Sequence, residues 1–120
     1  MSRKLDVAVA EALGYEVKVR RSHLPCYERY CIITKNGEAL LPRYSTDGNA
    51  MLELDNEMRE RGLELRVDNN GRMYAANYYN LQTEEWLGFV AENTMSLAVA
   101  LAAYKALTGK EWQERECLLS

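Results

Sequence analysis

The apolar positions of this 120-residue chain fall into blocks whose spacing alternates between helical and strand periods. Residues 5–13 set Leu5, Ala8, Val9, Ala12 and Leu13 on one stripe, with Ser2 available as a cap and Gly14 as a stop, and predict a short amphipathic helix. The run 15–20 then alternates apolar and charged residues, as a strand with one wet face does. After an irregular stretch around Pro25, residues 30–34 predict a second strand, and Asn36-Gly37 supplies a hairpin turn that lets Ala39-Leu40-Leu41 pair back. Pro42 removes a ladder donor and ends that strand.

Further on, Met51, Leu54 and Met58 recur at helical spacing, while Glu53, Asp55, Glu57, Arg59 and Glu60 are expected to cover the polar side before Gly62 stops the helix. Residues 63–67 alternate as a strand, Asp68-Asn69-Asn70-Gly71 is turn chemistry, and 73–79 return as the partner. Residues 86–91 predict a last strand, bulged at Gly88. Thr94 opens a final helix that is apolar nearly all round and ends at Gly109, so it belongs in the interior. Because most links are hairpins, the expected fold is a single α/β (α+β) layered domain over residues 1–109. Its mainly antiparallel sheet has about five strands and is joined by three helices. Residues 110–120 form a charged tail in which Trp112 is expected to dock and the last residues to fray.

Composition narrows the setting. With 48% hydrophobic and 28% charged residues the chain is neither disordered nor fibrous. It has no apolar run of membrane-spanning length and no signal-peptide core at its start, which predicts a soluble protein with no membrane partner. Cys26, Cys31 and Cys117 are an odd, sparse set that suits free thiols, and a single histidine, His23, without a Cys-x-x-Cys pair argues against zinc. No metal or cofactor is expected. A net charge of −3 disfavours non-specific nucleic-acid binding.

Three segments carry a resemblance: residues 5–14, the string Pro42-Arg43-Tyr44-Ser45-Thr46-Asp47 ahead of an amphipathic helix, and the apolar helix of residues 98–106 behind a strand. In these the chain resembles the phage ABA sandwich domain family, small proteins of phages and prophages. The Tyr44-Ser45-Thr46-Asp47 string is the most specific, since neither periodicity nor propensity requires it. The resemblance implies a layered α/β fold and a phage gene acting in a bacterial cytoplasm, and it carries over no catalytic residues. Residues 21–29 and the tyrosines of 74–79 have no counterpart in it.

Several candidate sites follow, each with a plainer reading. Ser45 or Thr46 suits an N-cap; alternatively these hydroxyls and the helix amides receive a phosphate or carboxylate, with Arg43 adding charge and Tyr44 a stacking face. Asp47 argues against the anion, because a carboxylate already stands at the positive helix end. Arg20, Arg21, His23, Tyr27 and Arg29 crowd one loop that either binds a nucleotide or acidic surface or simply faces water. Tyr74 and Tyr78 share one strand face and Tyr79 takes the other, a composition suited to stacking on a flat ligand, to an interface or to the core. A hydrolase around His23 and Cys26 is the weakest reading, because no second group stands in a readable relation to either. The sequence therefore favours a non-enzymatic phage-encoded binding module. Its expected ligand is a small anionic, nucleotide-like host molecule held by Arg20, Arg21, His23, Arg29 and Arg43 to Thr46. The alternative is a module that binds a host protein, as a homodimer, through Tyr74, Tyr78, Tyr79 and Trp112.

Overall fold

The computed structural model describes residues 3–21 and 28–113. Ser2, His23, Cys26, Tyr27 and Cys117, and the expected fraying of the last residues, lie outside them. The chain is a mixed α+β domain in which helices α1 (Lys4–Ala12), α2 (Gly48–Glu60) and α3 (Met95–Thr108) combine with two antiparallel sheets. Strands β1 (Glu16–Arg21), β2 (Glu28–Thr34) and β3 (Gly37–Leu40) form the first sheet in the order β1-β2-β3. The second sheet has the order β4-β5-β6, from β4 (Leu63–Asn69), β5 (Tyr74–Asn80) and β6 (Glu85–Trp86), and β7 (Val90–Glu92) also pairs with β5.

The strands thus divide between two sheets. Pro42 and the 13-residue α2 stand between β3 and β4, and that interruption keeps the two hairpin sets apart. Helix α1 lies against β1 and α3, while α3 lies against β5 and β7 and also meets α2. The helices therefore fill the space between the sheets. The core joins Leu5 and Val9 of α1 and Ile32 of β2 to Leu54 and Met58 of α2, Ala76 and Tyr78 of β5, and the Ala98, Val99, Ala102 and Ala103 face of α3. Its small α3 residues let neighbouring elements come close. Among the described residues, no helix is long and apolar enough to cross a membrane.

The expected last strand is broken into β6 and β7. Gly88 sits so close to α3 that an added Cβ would lie 3.0 Å from Lys105 Cβ and 3.1 Å from the Ala102 carbonyl. Its amide leaves the ladder and donates to Asn77 Oδ1 at 3.0 Å. Helix α3 itself is capped as expected: Thr94 accepts from the Leu97 amide, and Gly109 closes the helix with φ +73°.

Gly88→Ala should lower stability by about 1–3 kcal/mol through overpacking against α3. Chemical unfolding would measure it, and an unchanged midpoint would contradict the tight approach.

Candidate functional site

The corner between β3 and α2 is closed from within. The Asp6 carboxylate, 1% exposed, reaches from α1 and accepts the Ser45 backbone amide at 3.0 Å. Its other oxygen accepts from Arg3 Nε at 2.9 Å, and Arg3 Nη2 donates to the carbonyls of Leu41 at 2.8 Å and Pro42 at 3.1 Å. The chain's own carboxylate therefore stands where an external anion was expected to bind. Tyr44 is 1% exposed and packs in the core, so it offers no stacking face. Burial pushes its phenol well above the usual tyrosine range, chiefly because the ionised form would lose its water.

The cap is also displaced from the expected hydroxyls. Asp47 is the N-cap of α2, its side chain accepting from the Asn49 amide at 3.1 Å. Ser45 is buried, and Thr46 donates its amide to the Arg43 carbonyl within the turn. Of residues 43–46, expected to hold the anion, Arg43 alone presents an exposed charge. Arg20 is committed to Glu38 across the first sheet, and its guanidinium holds the Glu38 carboxyl below the usual carboxylate range. Arg21 and Arg29 are exposed at the end of the β1-β2 pair, beside the segment that contains His23. Burial pushes the Cys31 thiol up and leaves less of the reactive thiolate, with Glu38 adding to the effect.

The tyrosines divide as strand alternation requires, but two of the proposed contact residues face inward. Tyr78 is wholly buried, 3.4 Å from Asp55 Oδ1, and Tyr74 packs half-buried against the same core. Asp55, expected on the wet side of α2, is itself buried and also receives Arg59 at 2.8 Å. The tyrosine hydroxyl and the arginine supply the partners that its carboxylate needs. Burial, with the nearby Asp55 charge, raises the Tyr78 phenol far above its ordinary range. Trp112 docks half-buried against Tyr104, with ring centroids 5.4 Å apart. Tyr78 is thus closed to an outside partner, whereas Trp112 keeps part of its surface and lines a cleft with Val7, Ala8 and Tyr30.

Tyr79 does face outward. It meets Trp86 edge to face with centroids 4.9 Å apart, and Trp86 and Phe89 are 56% and 62% exposed. Together with Ala75, Asn77, Arg66 and Asp68 the two rings line a shallow cleft of about 330 Å³ on the outer face of the second sheet. Sequence reasoning named neither ring as a contact residue. Regular alternation along residues 86–91 puts Trp86 and Phe89 on opposite faces. The break at Gly88 brings them to one cleft, and the glycine was its only visible signal. Among the described residues, no buried side-chain nitrogen or oxygen lacks a hydrogen-bond partner, and no group of three or more His, Cys, Asp or Glu side chains is placed to hold a metal ion.

Asp6→Ala should cost about 3–5 kcal/mol in urea unfolding, because Arg3 and the buried Ser45 amide both lose their acceptor. Ser45→Ala keeps that amide and should cost no more than about 1 kcal/mol, whereas a hydroxyl cap would make it the costlier change. A second expectation concerns pH. Tyr15 donates to Glu57 at 2.7 Å, and this bond, helped by burial, pushes its phenol from 10.0 up to about 12. A group whose folded pKa is raised contributes fully below its unfolded value and loses that contribution as pH rises through the folded one. The gap in urea midpoint between wild type and Tyr15→Phe should therefore hold steady in neutral and mildly alkaline buffer and shrink from pH 10 toward pH 12. A gap that stays constant throughout would remove the Tyr15–Glu57 bond from the account.

Comparison with protein-family models, with curated proteins and with solved structures found no match for this chain.

Proposed function

We propose that this chain is a non-enzymatic protein-binding module, and that it docks a protein of its bacterial host on the outer face of the second sheet. The observation that carries the reading is the exposed pair Trp86 and Phe89, backed by Tyr79 and bordered by Arg66 and Asp68. Tryptophan and tyrosine supply most binding energy at protein contacts because a rigid ring desolvates a large area with little loss of conformational freedom. A shallow cleft walled by two rings and edged by one charge of each sign suits a protruding apolar side chain flanked by polar groups. The phage-encoded, cytoplasmic setting is the one that the resemblance in residues 5–14, 42–47 and 98–106 implies.

Two observations favour this reading over capture of a small anion. The Ser45 amide is already held by Asp6, and Tyr44 is buried beneath the corner. The polar interior is also satisfied among the described residues, so it lacks the unpartnered donors with which a protein recognises an anion at depth.

The double variant Trp86→Ala/Phe89→Ala tests the proposal. Cross-linking mass spectrometry in a bacterial host should place a partner protein against this face of the wild-type chain. With that partner purified, the double variant should bind at least about tenfold more weakly. Its own stability should fall by less than about 2 kcal/mol, since both rings are largely exposed and the main loss is the Tyr79 contact. Cross-links that fall elsewhere, or binding indifferent to both rings, would refute the assignment.

A further inference from the structure

The second sheet has a long free edge. Among the described residues strand β4 pairs only with β5, and its bonds define which backbone groups remain open. The Leu81 amide bonds the Gly62 carbonyl at 3.0 Å at one end of the ladder, and the Asn70 amide bonds the Met73 carbonyl at 3.2 Å at the other. Antiparallel ladders alternate, so Glu64, Arg66 and Asp68 exchange their bonds with β5. The backbone N–H and C=O groups of Leu63, Leu65 and Val67 therefore point away from the sheet. Beside them lies an open groove of about 610 Å³, lined by Leu63, Leu65, Val67 and Leu81 with Asp55 and Arg59 of α2.

We infer that a second copy of this chain adds its own β4 to this edge, antiparallel and about a two-fold axis through Leu65. Charge and apolar matching together select the occupant and the register. Centred on Leu65, the pairing sets Glu64 of each copy against Arg66 of the other and Leu63 against Val67, and the outward groups of Leu65 meet their own equivalents. Centred one residue later, it would set Arg66 against Arg66 and Glu64 against Asp68, opposing like charges at each of those positions, and centred on Val67 it would match Arg66 to Asp68 but set Leu65 against Asn69 and lose the apolar pairing. Glu64 and Arg66 already share the outer face, where their side chains stand 3.4 Å apart, so the pairing joins two ion pairs into a four-charge cluster. The edge formed by β1 has one comparable register, centred on Val17, which opposes Glu16 to Lys18; what favours β4 is the groove of about 610 Å³ beside it, lined by Leu63, Leu65, Val67 and Leu81. The rings of the aromatic cleft, Trp86 and Phe89, lie beyond β5 from the new seam, while its Arg66 and Asp68 border stands on β4 itself.

Sedimentation velocity from micromolar to near-millimolar chain, with hydrogen exchange at the same concentrations, tests this directly. The wild type should pass from monomer to dimer as the Leu63, Leu65 and Val67 amides slow their exchange. Glu64→Arg and Arg66→Glu should each raise the dimer dissociation constant by about tenfold or more, because each puts like charges at both symmetric positions. The exchange variant Glu64→Arg/Arg66→Glu should restore it to within about threefold of wild type. Both side chains are exposed, so all three variants should keep the wild-type circular dichroism. A monomer at every concentration, a dimer indifferent to Glu64→Arg, or a double variant as weak as the singles would each overturn the inference.

Discussion

The constraint on which this structure turns is the burial of the Asp6 carboxylate. A charge removed from water must be paired and hydrogen-bonded, and Asp6 meets that demand with the Arg3 guanidinium and the Ser45 amide. Those bonds, with those from Arg3 to the Leu41 and Pro42 carbonyls, tie the start of α1 to the end of the first sheet and to the turn that launches α2. Tyr44 is carried inward by the same turn and becomes part of the core. A segment that could have served as an anion cradle is thereby spent on holding three elements together.

A second buried carboxylate plays a similar part on the other side of α2. Asp55 receives Tyr78 from β5 and Arg59 from its own helix, linking α2 to the second sheet. Tyr15 and Glu57 make a further tie from the end of α1 to α2, and Arg61 donates to the Leu13 carbonyl beside it. The buried carboxylates Asp6 and Asp55 are thus consumed in joining helices to the sheets. The outer face of the second sheet stays free of such ties, and its exposed rings are the part of the molecule with the chemistry of a contact surface.

Much of the fold was legible because its signals are local. Asn36-Gly37 and the turn at 68–71 announced their hairpins, Met51, Leu54 and Met58 marked the buried stripe of α2, and Thr94 and Gly109 bounded α3. The candidate site was legible only in part. Alternation correctly separated Tyr79 from Tyr74 and Tyr78, but it could not say which face the helices would cover. Nor could it place Trp86 and Phe89 in one cleft, since that depends on how closely Gly88 meets α3.

By itself, then, the sequence determined the helices, the hairpins and the caps of α3, each set by residues a few positions apart. Tertiary structure decided which polar groups remained available. Asp6 and Ser45 are separated by 39 positions, and Tyr78 and Asp55 by 23, so only the packing of α1 and of β5 against their neighbours brings these pairs together. The physical reason is desolvation: a side chain becomes structural or functional according to whether packing removes its water and supplies a partner, and that partner comes from a distant element.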